Sequence, residues 1–244
     1  MQILKSALFS KFPEIIFGLS TKIGLNRTSP FYFNLSYTVD DNPAVVKENR
    51  EAFYNSLGLT SSQIAIQKQV HSDIVTIVDS PGQQGESDAM ITSEIGIGLT
   101  ISTADCTPIF IYDINQKVIA AVHSGWRGTE KKILAKTFTI LKDKYSSNPN
   151  DLYIYVGPSI SQKNYEVGKE VADQFDGIFI KEISGKLYLD VLAANLKMIS
   201  EAGVDFAKVE VSPLCSFKEK DLLHSFRRDG KYSGRSHGIL AMVQ

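Results

Sequence analysis

GLTISTADCTPIFIYDINQKVIAAVHSGWRGT, residues 98–129, carries three apolar runs, Gly98–Ser102, Pro108–Tyr112 and Lys117–His123, split by short polar segments such as DINQ at 113–116. Their length and their β-branched and aromatic content read as strands. Three more runs lie just upstream, Ile64–Val70, Asp73–Val78 and Ala89–Thr92, with SPGQQG at 80–85 as a turn signal between the last two. So many short strands in so little chain predict one large mixed sheet, or two sheets packed together. Further strands are expected at Leu152–Val156, Ile178–Lys181, Lys208–Ser212 and Ile239–Val243.

Helices are expected where caps and period agree. In DNPAVVKENREAFYNSLG, Asn42 can cap, Pro43 suits the first turn, Val46, Phe53 and Leu57 share a face, and Gly58 can end the helix. A second helix is expected to start near Thr129, with Ile133, Leu134, Phe138 and Leu141 at helical spacing. A third is capped by Asp190, carries Val191, Leu192, Leu196 and Ile199, and stops at Gly203. The class is α+β without clean βαβ alternation. No repeat or linker interrupts the chain, so a single compact domain over 1–244 is expected.

Charge and composition exclude several functions. The 26 basic and 27 acidic residues leave a net charge of −1, which argues against a polyelectrolyte such as nucleic acid as partner. Apolar runs such as Val118–Val122 are strand-sized, far short of the roughly 20 residues needed to cross a bilayer, so no membrane association is expected. The N-terminal stretch breaks its apolar residues with Lys5, Lys11, Pro13 and Glu14, which leaves no signal-peptide core. With only Cys106 and Cys215 as thiols, the expectation is a reducing, cytoplasmic setting.

Three residues sit where an apolar run meets a polar turn: His71 in KQVHSD, Cys106 in TADCTP and His123 in AAVHSGWRG. Two imidazoles and a thiolate can hold zinc and leave a fourth position open, as in a catalytic site. Gaps of 35 and 17 residues match no short zinc-finger spacing, and each residue alone is more often structural. The turn after His123 runs from strand to helix through two glycines. Its N–H groups near Gly125–Thr129, with Arg127, are candidates for holding an anion; the alternative is a tight turn whose Arg127 pairs with a carboxylate and whose Trp126 packs as core. Arg227, Arg228 and Arg235 in SFRRDGKYSGRSHG either face a phosphate-bearing substrate or form a solvated face. Asp88 and Asp105 are candidates for proton transfer, or for orienting a ligand histidine. His224 and His237 show no partner.

The pieces NLSYTVDDNPAVVKENR, QKQVHSD, SDAMIT, TADCTPIFIYD, AAVHSGWRGT, GPSISQKNYEVG and SFRRDGKYSGR, in order over about residues 16–243, resemble the YfiH-like family. It is also called the laccase-domain or multicopper polyphenol oxidase family, and its members include peptidoglycan editing factors and multi-activity purine nucleoside phosphorylases. The resemblance implies a layered α/β domain of mixed β-sheets flanked by helices, and a metal site on His71, Cys106 and His123. It implies zinc as cofactor, with copper as the alternative ion. For activity it implies phosphorolysis of adenosine, inosine, guanosine and methylthioadenosine, with adenosine deamination besides, so that purine nucleosides and phosphate are the expected partners. In that scheme Asp88 is a candidate proton carrier and Arg127 a candidate phosphate ligand. Where many relatives have a cysteine pair before YEVG, this chain has Gln162, Lys163 and Asn164, so functions needing those thiols do not carry over.

Three rivals remain on these residues. One is a peptidoglycan-editing role on cell-wall precursors, and one a metal-free hydrolase with Cys106 as nucleophile. The third is a copper-dependent polyphenol oxidase, against which four histidines in the whole chain weigh heavily, since a blue-copper site plus an imidazole-rich copper cluster needs more.

Overall fold

Strands Thr107–Asp113 (β8) and Val118–Ser124 (β9) are buried along their entire length, which explains their unbroken apolar sequence: both faces are covered. They pair antiparallel, Ile109 opposite Val122 and Phe110 opposite Ala121. Side chains alternate between faces. Phe110, Tyr112, Ile119 and Ala121 enter one core, while Ile109, Ile111, Ala120 and Val122 enter another. Asp113 closes the hairpin by accepting from the amides of Asn115 and Gln116, both at 2.9 Å.

The computed structural model describes residues 1–244. The hairpin lies in a six-stranded sheet of order β14-β10-β8-β9-β6-β4, completed by Val75–Ile77 (β4), Ala89–Thr92 (β6), Leu152–Val156 (β10) and Val209–Val211 (β14). A second six-stranded sheet has the order β1-β2-β15-β7-β3-β5. Its members are Ile3–Leu4 (β1), Ile15–Ser20 (β2), Ile64–Lys68 (β3), Gly82–Glu86 (β5), Gly98–Thr103 (β7) and Ser236–Met242 (β15). The sheets pack face to face through Phe17, Leu99, Ile101 and Leu240 against Phe110, Tyr112 and Tyr155. Phe17 meets Phe110 edge-on at 5.1 Å between centroids. Each such side chain is worth roughly 1.5–3 kcal/mol on burial. A third, small sheet of order β11-β13-β12 is formed by Glu166–Val167 (β11), Ile180–Ile183 (β12) and Lys186–Leu189 (β13).

Helices cover the outer faces, giving four layers. Helix Pro43–Ser56 (α1) starts as expected, with the Asn42 side chain accepting from the Ala44 amide and Pro43 in the first turn. It lays Phe53 and Tyr54 on Ile64 and Ile239 of the second sheet. Helices Ile133–Tyr145 (α3) and Val191–Glu201 (α5) cover the hairpin's sheet through Leu134, Leu141, Met198 and Ile199. The Asp190 cap holds, and Gly203 takes φ +83 just beyond the end of α5.

Three expectations are corrected. The helix near Thr129 is two pieces, a single turn Trp126–Glu130 (α2) and then α3, broken where Lys132 adopts φ 60. The break follows from a buried polar knot: Ser124 Oγ donates to Asn195 Oδ1 at 2.8 Å and lies 2.8 Å from Thr129 Oγ1, which locks α2 to the strand end and to α5. SPGQQG contains an edge strand, because Gly82–Glu86 pairs parallel with β3. Finally, the expected strand at Ile178–Lys181 begins only at Ile180, after a 3₁₀ turn over Gly177–Phe179. Two short helical turns, Lys169–Ala172 (α4) and Phe226–Asp229 (α6), complete the chain.

Candidate metal centre and its cavity

The β8–β9 register explains the 17-residue gap. Thr107 lies opposite Ser124 and Pro108 opposite His123, so the hairpin's open end delivers Cys106 and His123 side by side. Gly125 comes next to Cys106: a Cβ built there would lie 2.8 Å from Cys106 Sγ and 3.0 Å from His71 Cδ2. Only a residue without a side chain leaves the ligands this close to the strand end.

Asp88 brings in His71. It lies just before β6, and its main-chain oxygen accepts from the His123 amide at 2.7 Å. Its carboxylate accepts from the amides of Val70, His71 and Ser72 and from the Ser72 hydroxyl, at 2.6 to 3.2 Å. That ring of donors holds His71 at φ 58, a conformation that costs energy outside glycine. The same carboxylate accepts a hydrogen bond from His123 Nδ1–H at 2.8 Å, which leaves Nε2 to face the other ligands. Burial opposes a charged Asp88, but hydrogen bonds from His123 and Ser72 prevail and hold its carboxyl at about 2.

One ligand atom from each of His71, Cys106 and His123 lies within 4.8 Å of the others, with Cys106 Sγ 3.9 Å from His71 Nε2. Tetrahedral coordination at roughly 2.0–2.3 Å requires separations of about 3.4–3.7 Å, so small side-chain rotations close the set around an ion. The donors run from exposed His71 through half-buried Cys106 to buried His123, and the open side faces a cavity. Burial opposes a Cys106 thiolate, yet the charges and hydrogen bonds of His123 and His71 lower the thiol to about 6, as a metal-binding sulfur needs. The donor chemistry, the spacing and the space beside Gly125 together fit a metal ion.

The cavity measures about 720 Å³ and includes all three ligands in its lining. Its charge departs from that of the chain: Arg50, Lys68, Arg127, Arg227 and Arg235 line it against the single acid Asp105. Each arginine lies over an aromatic ring that also lines the cavity: Arg50 over Tyr37 at 4.2 Å, Arg127 over Trp126 at 4.3 Å, Arg227 over Tyr165 at 4.9 Å and Arg235 over Phe226 at 5.3 Å. Their hydrogen bonds go to main-chain carbonyls, as from Arg50 to Leu35, Arg227 to Glu166 and Arg235 to Ser233. None of the ion pairs in the chain involves them.

The candidate residues separate accordingly. Arg127 is exposed and reaches the cavity, and Trp126 is half-buried beside it, so the alternative of a paired arginine and a core tryptophan is corrected. Asp88 lies outside the cavity lining, and its oxygens are fully engaged. A proton carrier needs a free oxygen facing the substrate, so the orienting role is the one its geometry fits. Asp105 lines the cavity at φ 100, but its oxygens accept from the Ser216 hydroxyl at 2.6 Å and the Arg227 amide at 2.7 Å, which ties its own turn to the Ser216 segment and to α6. Arg228 is bound to the carbonyls of Ser216, Phe217 and Leu223 and is structural. His224 and His237 are buried and pushed toward the neutral form by desolvation. Cys215 and Cys106 are free thiols. Tyr37, Arg50 and Tyr165 were missed as site residues: each lies in a stretch that carries the family resemblance, but no spacing marks them.

A model of the family described as multi-copper polyphenol oxidoreductase laccase matches residues 17–243. The chain belongs to that family. Within it, a purine nucleoside phosphorylase of Corynebacterium glutamicum is 31% identical over 91% of this chain and 92% of its own length. A purine nucleoside phosphorylase of Clostridium acetobutylicum is 38% identical over 71% of this chain and 74% of its own. The crystal structure of YlmD from Geobacillus stearothermophilus superimposes with a TM-score of 0.93 at 26% identity, covering 100% of this chain and 97% of that one. The layered α+β architecture is thus the family's.

Proposed function

We propose that this laccase-family chain is a metal-dependent purine nucleoside phosphorylase acting on adenosine, inosine, guanosine and methylthioadenosine. The observation that carries the reading is the His71–Cys106–His123 set opening on a cavity whose four arginines lack carboxylate partners and lie on aromatic rings. Phosphate answers the cations and a purine answers the rings. That relatives with about a third of their residues in common are named purine nucleoside phosphorylases supports it.

His71, Cys106 and His123 would hold the ion, and zinc suits this borderline donor set. When bound, a divalent cation supplies Lewis acidity at the open coordination position. Arg127 and Arg227 hold phosphate so that one oxygen attacks C1′ of the ribose. The C1′–N9 bond breaks, its electron pair leaves with the base, the proton of hydrogen phosphate ends on the base nitrogen, and sugar 1-phosphate forms. Aromatic faces such as Trp126 orient the base, while Asp88 keeps His123 in the ligating tautomer and Asp105 fixes the helical turn α6 bearing Arg227. Adenosine deamination would be a separate step at the base: water adds to C6 of the purine, the bond from C6 to the exocyclic nitrogen breaks, and inosine and ammonia form. A multicopper oxidase mechanism fares worse: His224 lies outside the cavity and His237, buried in its wall, is not part of the ligand cluster, so two imidazoles remain for metal. No helix is long and apolar enough to cross a membrane, and two free thiols suit a cytoplasmic setting.

The test is chromatography of each nucleoside incubated with zinc-loaded protein, with and without phosphate. Free base and sugar 1-phosphate, formed only with phosphate and lost on chelation, are expected. Unchanged nucleosides throughout would overturn the proposal.

A further inference from the structure

Tyr165 stands in the cavity wall between two fixed points. Its amide donates to the Gln162 carbonyl at 3.0 Å, and its own carbonyl accepts from the Leu189 amide at 3.1 Å, which pins it between a 3₁₀ turn and β13. Asn164 fastens that turn by donating to Ser161 Oγ at 2.9 Å and to Cys215 Sγ at 3.4 Å. The ring is held from its face by Arg227 at 4.9 Å, whose guanidinium is tied to the Glu166 carbonyl at 2.6 Å. Backbone and ring are therefore both immobilised.

The hydroxyl is not. The Tyr112 hydroxyl donates a hydrogen bond to Glu14 at 2.7 Å, and the Tyr54 hydroxyl lies 3.4 Å from His237 Nδ1. The Tyr165 hydroxyl has no such protein partner, is not sealed from solvent, and belongs to a residue that lines the cavity. The cavity wall around it holds Cys106 and Asp105 and the cations Arg127 and Arg227. Burial, reinforced by the charges of Cys106 and Asp105 against those of the two arginines, pushes the phenol up to about 12, so it keeps its proton through the neutral range. A fixed phenol that retains its proton and has no acceptor in the protein is built to donate to what enters.

We propose that Tyr165 is a further catalytic residue of this cavity, its phenol O–H donating a hydrogen bond to a phosphate oxygen held jointly with Arg127 and Arg227. This rests on the phosphorylase reading above. No proton is transferred: the bond to a non-attacking oxygen orients the nucleophile and shares its charge.

The experiment compares wild type, Tyr165→Phe and Tyr165→Leu, all zinc-loaded, in adenosine phosphorolysis over a phosphate series, together with calorimetric titration of inorganic phosphate. Tyr165→Phe keeps the ring and its stacking on Arg227 and removes only the donor. It is expected to lower kcat/KM for phosphate roughly 10- to 100-fold, with KM for adenosine, metal content and Tm unchanged. Wild-type kcat/KM in Tyr165→Phe overturns the proposal, as does a loss confined to Tyr165→Leu, which would assign the effect to the ring. A wild-type protein that binds phosphate but turns over no nucleoside counts against the phosphorylase reading alone. Phosphate binding then decides: weaker binding by Tyr165→Phe supports the hydrogen bond, and equal binding overturns it.

Discussion

Replacing Gly125 with alanine isolates the metal site from the fold. The residue has φ −78 and ψ 173, extended backbone that alanine adopts without strain, so the substitution carries no conformational penalty of the left-handed kind. What the new methyl meets is confined to the proposed ligands: Cys106 Sγ at 2.8 Å and His71 Cδ2 at 3.0 Å. Comfortable contact lies near 3.5–4.0 Å, so one or both ligands must retreat by roughly 0.5–1 Å. Metal sites tolerate deviations of only about 0.2 Å in ligand distance. The expected consequence is a 10- to 100-fold loss of metal affinity, comparable with losing an outer hydrogen-bond partner of a ligand, or about 1.4–2.8 kcal/mol. Competition with a chromophoric chelator measures it directly. Thermal unfolding in excess chelator supplies the control, where variant and wild type should coincide. A Gly125→Ala protein that binds zinc as tightly as wild type would refute the account of the site.

Asp88→Asn should be far more disruptive, because an amide cannot accept from all the donors gathered there, and removing one member of a buried charged pair costs about 3–5 kcal/mol. Urea unfolding of the metal-free protein tests this, and a loss below about 1 kcal/mol would contradict the anchoring role. The buried histidines give a pH dependence of defined sign. Desolvation pushes His224 down to about 3 and His237 well below its ordinary value, so the unfolded chain binds these protons first. Their contribution is complete above about pH 6.5 and falls with pH by about 1.4 kcal/mol per unit for each. Between pH 6.5 and 5 His224 withdraws roughly 1.5–2 kcal/mol, and His237 acts in the same direction, against a typical total of about 5–15 kcal/mol. Urea midpoints of wild type and His224→Gln over that range should diverge in slope, and parallel slopes would show that His224 does not titrate on unfolding.

The two halves of the metal site differ in how far sequence reveals them, and the difference is physical. Cys106 and His123 end two strands of one hairpin, whose apolar runs and DINQ turn are readable from period and composition; the register then brings their side chains together. His71 is 35 residues from Cys106 because nothing local joins them. Its position depends on three successive amides converging on a carboxylate 16 to 18 residues away, and such loop-to-carboxylate contacts leave no periodic trace. The edge strand Gly82–Glu86 escaped for a related reason: its glycines and glutamines have little strand preference, and pairing with β3 overrides that.

The cavity shows the same limit more sharply. An arginine in a sequence is neutral evidence, because most arginines are solvated; what distinguishes Arg50, Arg127, Arg227 and Arg235 is an aromatic support without a carboxylate partner, joined in all but Arg127 by a carbonyl anchor. Their partners differ in sequence separation: Trp126 adjoins Arg127, Phe226 is nine residues from Arg235, Tyr37 thirteen from Arg50, and Tyr165 sixty-two from Arg227. Two of these pairs lie in or beside the readable motifs around His123 and SFRRDGKYSGR, but the other two require α1 and the turn before β11 to fold over the sheets first. Stacking on a ring restricts a guanidinium without neutralising it, so the fold spends no acidic residue on these four cations. Their charge therefore remains available to an incoming anion, which is why the cavity lining is strongly basic in a chain of net charge −1.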